Sequence, residues 1–431
     1  MAVNALTDSE SEVPEKERRA RFSALKHRDF ALLWSGLLVS NTGTWMQTVA
    51  QGWLIITLTN SPGWLGAVSI ARALPYLVVP PMGGVLADRI DRIALLKVTQ
   101  TLSLILAGLL AGLTLAHVIT VWELMVLAFL SAAANSVDQP TRNALIPDLV
   151  PEKDLMNAIS LNSVTFQGAA LVGPAIAGVL VAVIGFGGVF LINALSFLAV
   201  LWALFLMRAV SQHQRRETSL RQELGAGVTF VLRTPLVLSL LLLTGLFSIF
   251  GRSYTTLMPA FAKEVLHLHA SGLGLMYSAP GLGTIVGGFI LASVGDVRRK
   301  GTLLLAGALT VSGLLIAFAL TPQLLPALVL LAGIGAMTTV YSATNTTLLQ
   351  INAPGPMRGR VMSYNTVALL GLAPFGGGIS GLLAEWMGVR QSLLLGAVIV
   401  AVVTVAFYWM TPHIRAQNRS AEAVPARAGA R

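Results

Sequence analysis

The chain of 431 residues has no cysteine. That excludes disulfides, iron–sulfur clusters and thiolate zinc sites, and leaves the redox compartment open. Charge is also scarce. Asp, Glu, Lys and Arg make up 11% of the residues, where a soluble domain carries roughly 25%. Acids are fewer than bases, 19 against 29, for a net charge of +10. The six histidines (His27, His117, His213, His267, His269 and His413) fall between or outside the apolar runs. No carboxylates pair at catalytic spacing. No Gly-x-x-x-x-Gly-Lys-Ser/Thr loop for a nucleotide is present. The expectation is a protein without metal or organic cofactor, neither an enzyme nor an ATP-driven pump.

What the chain has in quantity is apolar sequence, 55% of all residues. Twelve runs approach or exceed the ~20 residues that cross a bilayer as a helix: 30–58, 62–87, 93–116, 119–140, 156–183, 187–207, 236–261, 270–294, 301–320, 323–349, 360–387 and 390–410. Helices are required because lipid offers the backbone no hydrogen-bond partner. The first run is too long for a signal-peptide core and follows mostly polar residues, so no cleavage is expected. With the N-terminus in the cytoplasm, 25 of the 29 Lys and Arg face that side. Such asymmetry sets topology and accounts for the positive charge without nucleic acid. The expected organisation is a cytoplasmic segment 1–29, a six-helix half 30–207, a cytoplasmic loop 208–235, a second half 236–410 and a cytoplasmic tail 411–431. Within the loop, Ser219-Leu220-Arg221-Gln222 opens like a capping box, and an amphipathic helix is expected from there to Pro235.

The two halves repeat. At a shift of 203 residues Asn162 meets Asn365, Gly168 meets Gly371, Gly173 meets Gly376 and Gly178 meets Gly381. Gly83-Gly84 and Gly287-Gly288 match at 204. Two halves in parallel repeat are one layout of secondary transporters.

Between the second and third runs stands Gly84-Val85-Leu86-Ala87-Asp88-Arg89-Ile90-Asp91-Arg92-Ile93-Ala94-Leu95-Leu96. It resembles the signature Gly-x-Leu-Ala-Asp-Arg-x-Gly-Arg-Lys-x-x-Leu of the major facilitator superfamily, departing at Asp91 and Ile93. Three further stretches narrow the resemblance to a branch of bacterial exporters that includes the enterobactin exporter and macrolide and tetracycline efflux relatives. They are Ser40 to Leu54, Asp138 to Ala144, and Arg358-Gly359-Arg360-Val361-Met362-Ser363. Gly173-Pro174-Ala175-Ile176-Ala177-Gly178 is similar to the superfamily's exporter motif, with Ala177 for one glycine. The resemblance implies an all-α membrane protein of twelve helices in two six-helix halves. It also implies a cytoplasmic gate built on Gly84, Asp88, Arg89 and Arg92, with Asp138 and Arg142, in which the basic residues pair with the fourth helix.

Ionisable groups inside a membrane are costly and usually functional. Arg72 stands about 15 Å along the second helix at 1.5 Å per residue. It reads either as a cation that meets cargo or as a structural partner for carbonyls or a carboxylate. Arg252 reads as a second such cation or as one that reaches the surface. Asp138 reads as a proton carrier or as part of the gate, paired with Arg92 or Arg142. Glu123, Glu264 and Glu385 read as a solvated rim. Asn41, Trp45, Gln47, Gln51, Tyr76 and Tyr254 complete the candidate cavity, while Trp53 and Trp64 suit an interfacial belt.

The expected function is export of siderophore-like or drug-like small molecules across a bacterial inner membrane, by proton antiport and alternating access of a monomer. Import or facilitated passage is the alternative.

Overall fold

The computed structural model describes residues 22–87, 91–208, 220–295 and 299–410, which are helical apart from turns. Helix α1 spans Arg28–Thr59, α2 Pro62–Ala87, α3 Arg92–Leu115 and α4 Val121–Leu149. The run Glu152–Leu206, 55 residues long, breaks at Gly185 with φ 70°, a conformation glycine holds without strain. Helices α5 (152–184) and α6 (186–206) meet there. A surface helix, Leu220–Arg233, follows where the amphipathic segment was expected, and ends before Pro235. The second half comprises α7 Pro235–Val265, α8 Ala270–Val294, α9 Lys300–Leu320, α10 Leu324–Asn352, α11 Met357–Met387 and α12 Val389–Met410.

Among the described residues nine helical runs are long and apolar enough to cross a membrane, the 55-residue run counting once. Helices α1 and α2 are not among them; Asn41, Gln47 and Gln51 dilute the middle of α1. Several helices outrun their apolar cores. Helix α4 continues through Pro140 and Pro147 to Leu149, beyond the expected 140. Hydropathy marks a bilayer-thick core, and the helix goes on as long as packing supports it. Ahead of α1, Ser23–Lys26 forms a 3₁₀ turn tied to α5, where Ala24 N donates to Asn157 Oδ1 at 3.1 Å and His27 Nε2 meets Asp154 Oδ2 at 2.8 Å.

The repeated glycines occupy equivalent places. A Cβ on Gly173 of α5 would sit 2.8 Å from Trp45 Cβ of α1, and one on Gly376 of α11 would strike the Ile249 carbonyl of α7. One turn on, a Cβ on Gly178 would sit 2.9 Å from the Ala270 carbonyl of α8, and one on Gly381 2.6 Å from Gly66 Cα of α2. Small residues let backbones approach this closely. Helix α5 thus packs on α1 and α8 as α11 packs on α7 and α2, the relation a two-fold axis between halves requires.

The α5–α8 and α2–α11 seams lie toward the end that carries the α1–α2, α7–α8 and α11–α12 turns, here the far end. At the near end, α4 packs on α1, α2, α3 and α5, and Gly355–Thr366 packs on α7, α10 and the surface helix.

Candidate functional site

The deepest cation has a neutral partner. Arg72, half-buried on α2, donates from Nη2 to Gln51 Oε1 of α1 at 2.8 Å. Gln51 is 2% exposed, and its amide nitrogen has no hydrogen-bond partner. Among the described residues no carboxylate lies within ion-pair distance of Arg72; the pairs formed are His27–Asp154, Arg28–Asp29, Arg92–Asp148 and Arg142–Asp138. Tyr76, one turn on from Arg72, is exposed. Tyr277 belongs to α8 in the other half; its hydroxyl donates to the Thr255 carbonyl at 2.8 Å and lies 4.0 Å from where a Cβ on Gly52 of α1 would stand. Arg72 and Gln51, both of the first half, form the candidate site.

The other cavity candidates scatter. Gln47 accepts from Asn193 Nδ2 of α6 at 2.6 Å. Trp45 packs over Gly173 and stands edge-on to Phe166, ring centres 6.1 Å apart. Tyr254 is 8% exposed within the apolar core of α7, among Leu257 and Met258, so it lines no open space. Asn41 is half-buried. Arg252 is half-buried at the end of the π turn Phe247–Gly251 and has no acidic partner among the described residues.

Of the candidate gate, Asp88 and Arg89 lie outside the described residues, and Gly84 lies in the last turns of α2. Asp138 is 1% exposed. Its Oδ1 accepts from Thr99 Oγ1 at 2.8 Å and Gln100 Nε2 at 2.7 Å, both on α3. Its Oδ2 forms a 2.6 Å ion pair with Arg142 Nε without hydrogen-bond alignment. Of the two partners open to Asp138, Arg142 takes the place. Arg92 instead reaches further along α4, donating to Asp148 Oδ2 at 2.7 Å and to the Ala144 carbonyl at 3.1 Å. Sequence reasoning missed Asp148 because it lies beyond the apolar run. It also took Asp91 as a departure from the family signature. Asp91 is the N-cap of α3, accepting from Ile93 N at 2.7 Å and Ala94 N at 3.3 Å, and an Asp–x–x pattern before an apolar run is the signal for such a cap.

The far end carries two side chains that cross from one half to the other. Glu385 Oε2 of α11 accepts from Ser61 Oγ at 2.6 Å and from Gly63 N, in the first turn of α2, at 3.0 Å. Lys263 Nζ of α7 donates to the Ile56 carbonyl of α1 at 2.9 Å and to Asn60 Oδ1 at 2.6 Å. An acid thus meets a helix N-terminus and a base a helix C-terminus, the arrangement the helix dipole favours. Deeper along the same α2–α11 seam Ser69 Oγ donates to the Pro374 carbonyl at 3.0 Å. Glu123, Glu264 and Glu385 are all exposed; in addition Glu385 joins the halves, and Glu123 forms a capping box with Thr120 at the start of α4.

These helices, their two-fold seams and their membrane-length apolar runs define a multi-pass membrane transporter of the major facilitator fold. A solved bacterial homologue of the human lysosomal transporter Spinster, inward-facing and unoccupied, matches 91% of this chain and 98% of its own with a TM-score of 0.69 at 17% identity. The profile of the transmembrane secretion effector family, a branch of the same superfamily, matches residues 19–428; the chain belongs to that family. Among its relatives, the staphyloferrin A transporter of Staphylococcus aureus is 24% identical over 86% of this chain and 94% of its own. Macrolide efflux protein A of Streptococcus pyogenes is 26% identical over 87% and 94%. Enterobactin exporter EntS of Escherichia coli O1:K1 is 28% identical over 78% and 80%.

Proposed function

We propose that this transporter exports siderophore-like or drug-like small molecules across the bacterial inner membrane, by alternating access coupled to proton antiport. The observation that carries the reading is where the halves meet among the described residues. The α5–α8 and α2–α11 glycine seams, Glu385 and Lys263 join them toward the far end, while the Arg72–Gln51 pair lies deeper. The basic loops support a cytoplasmic near end, twelve spans and both termini inside. In that orientation the molecule faces inward, ready to load cargo from the cytoplasm. The siderophore and macrolide relatives support the direction and the cargo type.

In this reading Asp88 and Arg89, with Arg92, Asp138 and Arg142, close the cytoplasmic side in the opposite state. The dense bonding of Asp138 to Thr99, Gln100 and Arg142 supports a gate role over proton exchange. Proton coupling is supported by the family resemblance. Inside-out vesicles carrying the protein test the whole reading. An acid lumen should drive siderophores or macrolides inward, and a protonophore should stop it. Cargo movement only in right-side-out vesicles would establish import instead.

A further inference from the structure

Resting on the transport reading, the geometry points to Arg72 and Gln51 as the part of the transport site that selects an anionic, oxygen-rich group on the cargo, a carboxylate or a deprotonated phenol. The argument is an inventory of donors. A guanidinium carries five N–H groups and a side-chain amide two, and a guanidinium accepts nothing. Arg72 spends one contact on Gln51 Oε1. That bond takes the amide oxygen of Gln51 and leaves its buried nitrogen without a partner. Turning the amide over does not help, because N–H would then face N–H. Among the described residues no carboxylate neutralises the pair. Water can occupy an orphan N–H, but it brings no compensating charge, and a buried cation without one is costly. An anionic oxygen pair satisfies both needs, since guanidinium binds such groups in a two-pronged fork.

The other half contributes too. Tyr277 donates its one O–H hydrogen bond to the Thr255 carbonyl, and its hydroxyl lies 4.0 Å from where a Cβ on Gly52, the neighbour of Gln51, would stand. The lone pairs left on Tyr277 can only accept, so they suit a neutral donor elsewhere on the cargo while its anionic group lies on Arg72 and Gln51, and the two contacts would separate as the halves rock.

The test uses the full chain in lipid nanodiscs, with binding read by calorimetry. The probes are citrate, 2,3-dihydroxybenzoate, erythromycin and tetraphenylphosphonium. Wild type should bind at least one of the two anions. Arg72→Gln should weaken that binding by about tenfold or more, a loss equivalent to about 1.4 kcal/mol. Arg72→Lys should retain most of it, and Gln51→Leu should show a smaller loss than Arg72→Gln. Anion affinity unchanged in both Arg72→Gln and Gln51→Leu would overturn the assignment, as would a wild type that binds tetraphenylphosphonium and neither anion. Should Arg72→Gln fail to fold, Arg72→Lys and Gln51→Leu still decide. Anion binding lost in Arg72→Gln while vesicles show no export would sink the export reading and leave the site standing. Erythromycin export without anion binding would do the reverse.

Discussion

One helical turn apart on α4 stand Asp138 and Arg142; 203 residues on, at the matching turn of α10, stand Tyr341 and Asn345. In the first half the pair is ionic and is braced by Thr99 and Gln100 of α3. In the second it is neutral. Tyr341 stacks on Phe247 with ring centres 4.2 Å apart, and Asn345 donates to Thr244 Oγ1 of α7 at 2.8 Å. The glycines of α5 and α11, by contrast, serve the same contacts in both halves. The two halves share the backbone approaches and differ in side-chain chemistry, with the ionic pair in the first half.

The largest expected effect breaks the ionic member. Asp138→Asn strands Arg142, and removing one partner of a buried pair costs about 3–5 kcal/mol. Thermal unfolding in detergent should show it, and Asp138→Asn/Arg142→Gln should recover part. Asn345→Ala, in the neutral counterpart, should cost about 1–3 kcal/mol. Equal losses on the two sides would refute the contrast.

Next come the seams. Gly178→Val and Gly381→Val each force a side chain into a neighbouring backbone, an overpacking cost of about 1–3 kcal/mol. Both should stop vesicle transport. Gly168→Ala should be silent, because a Cβ there meets nothing within 4 Å. If only one of the two valines stops transport, the seams are not equivalent.

The smallest effects belong to the crossing caps. Lys263→Met and Glu385→Gln should each weaken far-end closure by about 0.3–1 kcal/mol. The readout is labelling of a single cysteine introduced beside the α1–α2 turn, free of background in a chain with no native cysteine. Both variants should label faster than wild type, and an unchanged rate would show that the glycine seams alone hold that end.

What the sequence revealed follows from how strongly lipid constrains it. Apolar runs located most of the helices because a bilayer tolerates little else there, and the glycine register, read as a repeat, falls on the seams, where close backbones exclude a Cβ. Arg72 stood out as a charge in an apolar run, but its partner Gln51 did not, since any of several α1 polar residues was eligible. Asp148 was hidden by a helix that outlasts its hydropathy. Glu385 and Lys263 were hidden because their partners are helix ends elsewhere in the chain, and a helix end leaves no mark on a residue so distant.

The α1–α2 corner also bears on how the chain is made. The first α2 amide, Gly63 N, is one of the orphan groups that a helix end must satisfy, and Glu385 accepts from it; Lys263 adds a second donor to the Ile56 carbonyl that Asn60 N already caps. Both come from residues synthesised much later: Lys263 lies 203 residues after Asn60, and Glu385 lies 324 residues after Ser61. The two helix ends at this corner therefore gain these partners only once α7 and α11 have been made and have docked.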